Sequence, residues 1–336
     1  MKHSKSTNWK DNPEKILLID NGAYEIKYST GNPNSENKLI QNCKFSEKSF
    51  NYENNYFIDD ISKVDNIKLS NIKKNYQRPL SRGLLFDIDT QIEIWESIIS
   101  KEYNKDKFDP NEILFMFTHT PLIPENNLEY YLQIIFEYFG FNATFKSVPH
   151  LFSAIEARET NTDINPILQV VVDSGFTSTT IVPIFKDRPI LNSIRRINIG
   201  GKLMTNFLKE SLNNLIDLDL RKDFFLVNLM KEEVCCNSID FKQDIINSKI
   251  KHKDLNNNNT TNTTNTTNNK SDNSINEDNN LVNNYRNQGI FILPEFRNKS
   301  SELLAKMPKE KYQIDLKGLK NIVPELLFLP NIIGNY

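Results

Sequence analysis

The stretch ILLIDNG at residues 16–22 decides the fold, because it joins an apolar strand to a tight turn. A second stretch of the same design, VVVDSG, occupies residues 170–175. Each is an apolar run that ends in an aspartate, a polar residue and a glycine. The glycine lets the backbone turn tightly and lets amide N–H groups approach an anion. An aspartate at the end of a buried strand can hold a cation, usually through water.

The pair of turns is more informative than either turn alone. One copy would mean little, since Asp-Gly turns are common in β-hairpins. Two copies, each after a β-rich apolar run, favour a clamp for the phosphates and metal of a nucleotide. The alternative is that both aspartates are ordinary turn residues. The candidate residues of the clamp are Asp20, Asn21, Gly22, Asp173, Ser174 and Gly175.

The composition bounds the class of protein. A chain of 336 residues with 38% hydrophobic residues can build one large domain or two smaller ones. The net charge of -2 favours neither a nucleic-acid surface nor a membrane surface. Three cysteines without Cys-x-x-Cys spacing argue against a zinc site and fit a reducing compartment. No apolar stretch is long enough to span a bilayer, so we expect no membrane partner.

Composition shifts along the chain predict its organisation. Residues 1–15 form a polar tail, and residues 16–160 form a first α/β half with a polar excursion at 32–77. Residues 161–336 form a second half, in which the order of strands, turn and helix recurs. The Asn/Thr-rich insertion at 253–285 cannot bury apolar area, and we expect it to be disordered.

Three helices of the first half are predicted from local signals. Thr90 and Glu93 have the spacing of a capping box. Pro149 to Arg158 predicts a short helix, in which we expect His150 to be a capping or surface residue. The helix between these two is predicted by an apolar stripe at helical spacing, made of Leu128, Tyr131, Leu132, Ile135, Phe136 and Phe139.

The order of these elements and turns resembles the actin fold, which actin, Hsp70 and the sugar kinases share. The resemblance implies an α/β, ribonuclease H-like pair of duplicated domains around a nucleotide cleft. It also implies that the second half is incomplete, because the family continues beyond a stretch that looks like VPELLF at residues 323–328.

The same resemblance assigns further site residues. It implies that Lys27 belongs to the first phosphate loop and that Gly201 and Lys202 open a helix on the nucleoside side. Lys231 and Glu232 match a pair that contacts adenosine. The simpler interpretation of Lys27 is a solvated lysine on a strand, and that of Lys231 and Glu232 is a charged helix face.

Finer motifs are similar to one branch of the actin-related proteins. RRINIGGKLMTNFLKE at residues 195–210 is the most specific, since conventional actin has Gly-Arg-Asp in place of Gly-Lys-Leu. KEEVC at residues 231–235 follows the same branch. The resemblance implies ATP or ADP with Mg²⁺ as cofactor, with Asp20 and Asp173 holding the metal through water. It leaves open whether a nucleotide binds.

The residues argue against turnover. By resemblance, actin positions its attacking water with a Gln and a His, and those positions here are Pro149 and Thr180. Neither can orient a water in the same way. Ala23-Tyr24 replaces Ser-Gly in the first loop and Phe176-Thr177 replaces Asp-Gly in the second. We expect the two rings to crowd the γ-phosphate side or close the cleft, and we assign no catalytic residue.

The function that the resemblance implies is that of a non-catalytic nuclear scaffold subunit. It would belong to an ATP-dependent chromatin-remodelling complex of the SWR type, which deposits a histone variant. Its partners would be the other subunits, including a Swi2/Snf2-type motor, and indirectly histones or the nucleosome. A cytoplasmic location is left open. The alternatives are an actin-like ATP-binding cytoskeletal protein, a kinase of the same fold and a non-functional truncated fragment.

Overall fold

The computed structural model describes residues 12–32, 34–48, 54–57, 76–103, 108–160, 167–214, 223–247, 285–297, 303–304 and 306–334. They form two compact units: a first unit up to Gly201 and a second unit from Lys202 onward. Of the insertion predicted at 253–285 only Tyr285 is described. Residues 1–11 of the predicted tail and much of the predicted excursion at 32–77 also lie outside the described residues.

The first unit contains a mixed five-stranded sheet in the order β10-β9-β1-β2-β3. The β1–β2 pair is antiparallel, while β1–β9 and β9–β10 are parallel. Smaller sheets pair β5-β4-β6 and β7-β8. The strands up to β10 are β1 Ile16–Asp20, β2 Glu25–Thr30, β3 Lys38–Gln41, β4 Lys44–Lys48, β5 Asn54–Phe57, β6 Tyr76–Gln77, β7 Leu80–Ser81, β8 Leu84–Leu85, β9 Leu114–Thr118 and β10 Ala143–Ser147.

Helix α1, Ile88–Glu102, starts one turn earlier than the capping box predicts. The N-cap is Asp87, whose carboxylate accepts from the Thr90 amide at 3.0 Å and from the Thr90 hydroxyl at 2.7 Å. Thr90 is therefore a partner of the cap rather than the cap itself. These hydrogen bonds help to hold the pKa of Asp87 below its usual range, although burial opposes them.

Helix α2, Glu125–Gln133, continues as a π-helical stretch, Ile134–Tyr138. The wider turn changes which residues face the sheet, because a π-helix shifts the register by one residue. Ile134 and Ile135 are buried, whereas Phe136 is 42% exposed. The predicted stripe is therefore correct for Tyr131 and Ile135 and wrong for Phe136.

The core of the first unit lies between its five-stranded sheet and the helices α1 and α2. Leu17 and Ile19 alternate with less buried neighbours along β1, as a strand with one covered face requires. Trp95 is fully buried at the centre, with its ring centroid 5.0 Å from that of Phe115 and 5.9 Å from that of Tyr131. This aromatic cluster supports the strand end that carries Asp20.

A second, four-stranded sheet also belongs to the first unit. It contains β11 Leu168–Ser174, β12 Thr179–Phe185, β13 Arg188–Pro189 and β14 Arg195–Ile197. Helix α3, Pro149–Thr160, packs against it through Ala154. The compact units therefore divide at residue 201, whereas the boundary predicted from sequence between the two halves is at 160/161.

The second unit is built on two helices, α4 Gly201–Asn213 and α5 Phe224–Val234. A two-stranded sheet of β15 Ile290–Ile292 and β16 Gln313–Asp315 and a last helix, α6 Leu319–Glu325, complete its core. Residues 241–247 and 285–288 are also helical. No helix in the described part of the chain is long and apolar enough to cross a membrane.

Candidate functional site

The first turn is held by a threonine on the neighbouring strand. The Thr118 hydroxyl donates to the Asp20 carboxylate at 2.6 Å and accepts from the Asn21 amide at 3.1 Å. The Gly22 amide donates to the Asp20 carbonyl at 2.9 Å. A Cβ at Gly22 would lie 2.5 Å from the Glu25 carbonyl oxygen, so the turn requires glycine at this position.

The side chain of Asn21 is not available to a ligand. It is buried, and its Nδ2 donates to Gln91 Oε1 at 3.3 Å and to the Tyr131 hydroxyl at 3.4 Å. The sequence suggests Asn21 as a cofactor contact, but the structure gives its side chain a supporting role beneath the turn. The reason is that a residue in a tight turn faces either the ligand or the core, and here the core supplies two partners.

The second turn is also bonded within itself. The Gly175 amide donates to the Ser178 carbonyl at 3.0 Å, and the Ser174 and Thr179 hydroxyls lie 3.1 Å apart. The Gly201 amide, at the start of α4, donates to the Gly175 carbonyl at 3.0 Å. Gly201 is thus bonded to the second turn through its backbone.

Gly200 is a site residue that the sequence reasoning missed. A Cβ there would lie 2.6 Å from the Gly175 carbonyl oxygen and 2.8 Å from both the Phe176 carbonyl oxygen and the Ser178 amide nitrogen. Only a glycine permits this approach of two backbone segments. The Gly-Gly pair in the sequence was the available signal.

The aromatic rings beyond the two turns meet. The centroids of the Tyr24 and Phe176 rings are 5.0 Å apart. The rings are therefore in contact with each other, and the expectation that they crowd the γ-phosphate side or close the cleft stays a prediction. Arg78, which the sequence did not single out as a site residue, places its guanidinium carbon 4.9 Å from the Tyr24 ring and 5.1 Å from the Phe176 ring.

A cavity of about 320 Å³ opens beside Asp20. Lys27 lies on β2 opposite Asp20 in the strand register, and its side chain is exposed. Pro149, at the start of α3, lines the same cavity. Among the described residues that line the cavity, Asp20 supplies the only carboxylate, and the proline contributes no polar group that could orient a water.

His150 is buried, so the expectation of a capping or surface histidine is wrong. Its Nε2 lies 2.8 Å from the Thr180 hydroxyl, and the residue is 1% exposed. Burial lowers the pKa of His150, and the nearby Asp173 carboxylate opposes that shift. Because Thr180 pairs with Asp173 in the β11–β12 register, the imidazole anchors α3 beside the second turn.

We expect stability to fall as the pH decreases below about 6.5, in part through His150. The unfolded chain binds this proton first, since the folded-state pKa is lowered. The stability that the neutral His150 contributes is complete above the pKa of this histidine in the unfolded chain. It is lost as the pH falls toward the pKa of the histidine in the folded protein. Urea unfolding at pH 7.5 and 5.5 should show a smaller loss for His150→Gln than for wild type. Burial also lowers the pKa of His119, and its part of the pH-dependent loss of stability is the same in both proteins. An equal loss in the two proteins would contradict the assignment.

The remaining candidates lie in the second unit. Lys202 is exposed in the first turn of α4. The Lys231 ammonium donates to Asn228 Oδ1 at 2.8 Å and to the Thr205 hydroxyl at 3.1 Å, so it joins α5 to α4. Burial lowers the pKa of Lys231. Glu232 accepts from the Asn228 amide at 2.8 Å. The structure thus places Lys231 in a partly buried network between two helices rather than on a solvated charged face, and contact of Lys231 and Glu232 with adenosine stays a prediction.

The aspartates suit an indirectly held cation better than a protein cage. No group of three or more His, Cys, Asp or Glu side chains able to bind a metal occurs among the described residues. Mg²⁺ is commonly held by one or two carboxylates together with water and phosphate oxygens. Thr118 fixes the Asp20 carboxylate in place and Asp173 is exposed; that the two hold Mg²⁺ through water stays a prediction.

The comparisons with known proteins agree with the predicted branch. "Actin-related protein 6" of Neurospora crassa is 30% identical over 243 residues, which is 69% of this chain and 53% of the relative. "Actin-like protein ARP6" of Cryptococcus neoformans is 30% identical over 338 residues, 95% of this chain and 62% of the relative. "Actin-related protein 6" of Arabidopsis thaliana is 29% identical over 238 residues, 68% of this chain and 54% of the relative. The chain thus spans between about half and three fifths of the length of these curated relatives.

The family profile described as actin matches residues 12–336. Such a match, with the mixed sheet that carries the first turn, confirms the predicted α/β actin-like fold. The relatives named above bear out the branch inferred from residues 195–210. The chain belongs to the actin family.

Proposed function

We propose that this chain is a non-catalytic scaffold subunit of a nuclear chromatin-remodelling complex of the SWR type. In this role it binds other subunits, including a Swi2/Snf2-type motor, and contacts histones or the nucleosome through them. What supports the proposal is the similarity to the actin-related proteins named above, together with the chemistry of the first unit.

The observation that carries the non-catalytic part is the environment of Asp20. Phosphoryl transfer depends on positioning the attacking group and stabilising charge. The cavity beside Asp20 has a proline at its rim, and the nearby histidine is enclosed. Its Nε2 contacts Thr180, so it is not presented to a water in the cavity. A nucleotide held there with Mg²⁺, such as ADP, would then serve as a structural ligand rather than a substrate.

The scaffold part is supported by exposed apolar side chains on β11. Leu168 is 55% exposed, and Val170 and Val172 are each 61% exposed. In the described part of the chain, β11 pairs only with β12. Contiguous exposed apolar residues of this kind are typical of surfaces that bind another protein segment.

The test is affinity purification of the N-terminally tagged native protein followed by mass spectrometry. We expect stoichiometric recovery of a Swi2/Snf2-type motor and its associated subunits. A matched Val170→Asp, Val172→Asp protein should recover less of them. Recovery of cytoskeletal partners and no motor would favour the actin-like alternative, and recovery of chaperones alone would favour the fragment.

A further inference from the structure

One arginine contacts the tips of both turns in the first unit. Tyr24 follows the first turn, Phe176 follows the second, and their rings meet at a centroid distance of 5.0 Å. The guanidinium carbon of Arg78 lies 4.9 Å from one ring and 5.1 Å from the other. We call Arg78 with these two rings the arginine bridge.

The arginine bridge is fixed by the backbone as well as by the rings. Arg78 Nη1 donates to the Tyr24 carbonyl at 3.0 Å and lies 3.3 Å from the Ala23 carbonyl and 3.5 Å from the Asn42 carbonyl. A third ring, that of Tyr76, lies 5.3 Å from the guanidinium carbon. Cation–π contacts strengthen when the cation is partly removed from water, as it is among these rings.

Three backbone amides of the two turns are bonded inside the protein. The Asn21 amide donates to Thr118 Oγ1 at 3.1 Å, and the Gly22 and Gly175 amides donate to the Asp20 and Ser178 carbonyls. Backbone N–H groups of turns are the groups that bind anions. A phosphate that used these three amides would have to break their hydrogen bonds, and one that entered between the tips would have to separate the rings.

We propose that the arginine bridge takes the place of a bound phosphate in joining the two turns. The two turns are then held together without a nucleotide. The terminal phosphate of a nucleoside triphosphate is excluded from between their tips. The inference rests on the proposed function only in treating the two turns as the phosphate end of a nucleotide site.

Thermal unfolding of the full chain tests the exclusion. With Mg-ATP at roughly 1 mM, we expect the wild-type midpoint to rise by less than about 1 °C relative to Mg²⁺ alone. A Tyr24→Ser, Phe176→Ala protein, which clears both rings, should gain an ATP-dependent rise of about 3 °C or more. The single variant Phe176→Ala, which keeps Tyr24 against Arg78, provides the same test with a smaller disturbance. A wild-type rise as large as that of the cleared proteins would overturn the proposal, as would no gain in either cleared protein.

The bridge itself is tested without nucleotide. Arg78→Met keeps the aliphatic stem and removes the cation, and we expect its midpoint to fall by about 2 °C or more. Arg188→Met is the matched control, because Arg188 is exposed on β13 in the same unit. Equal midpoints for the two variants would show that Arg78 does not join the turns. Recovery of remodeller subunits in the purification does not depend on any of these unfolding midpoints, so the two proposals can fail separately.

Discussion

Gly200→Ala is expected to destabilise the protein by about 3 kcal/mol or more. The added methyl would lie within 2.8 Å of three backbone atoms of the second turn, and backbone cannot move aside as a flexible side chain can. Urea unfolding of the full chain, followed by circular dichroism, measures the change.

Gly175→Ala is the matched control, because its Cβ would meet nothing closer than the Ser178 carbonyl oxygen at 3.5 Å, an ordinary contact. We expect its unfolding midpoint to stay close to that of wild type. If the Gly200 and Gly175 variants unfold at the same urea concentration, the close approach of residue 200 to the second turn is not what requires glycine there.

Trp95→Ala should cost about 3 to 5 kcal/mol, because it removes a large ring from a filled core. The ring is fully buried and contacts the rings of Phe115 and Tyr131. The Tyr131 hydroxyl also accepts from the Asn21 side chain, so a cavity at Trp95 should loosen the first turn as well.

The same unfolding experiment with Phe86→Ala provides the control for Trp95. Phe86 is 83% exposed, and we expect a change within about 0.5 kcal/mol. A loss of similar size at both positions would mean that the aromatic cluster does not form the core of the first unit.

The turns were predictable from sequence because their signals are local. The apolar runs that end at Asp20 and Asp173, each followed by a tight turn, predict two hairpins, and both form. The direction of the side chains was less predictable. Asn21 is drawn into the core by Gln91 and Tyr131, residues 70 and 110 positions away in the chain. No local pattern encodes such a pairing.

The contacts between the turns depend on distant parts of the chain in the same way. Arg78 lies far in sequence from both Tyr24 and Phe176, so its contact with both rings could not be inferred from any motif. His150 and Thr180 are 30 residues apart, on a helix and a strand, and their hydrogen bond appears only once α3 packs against β12. The predicted N-cap of α1 differs from the structure because Asp87, three residues before Thr90, caps the helix. The predicted stripe of α2 differs because a π turn rotates Phe136 outward.

We propose that this member of the actin family keeps the two turns at Asp20 and Asp173 but does not turn over ATP. Release of inorganic phosphate from Mg-ATP by the purified full chain tests it most directly, with Asp173→Ala measured in parallel. We predict no release by the wild type above that of the variant, since Pro149 and Thr180 stand where the resemblance places the water-orienting Gln and His, and the His150 ring is bonded to Thr180. Steady phosphate release that Asp173→Ala abolishes would show that the chain hydrolyses ATP and would contradict the proposal.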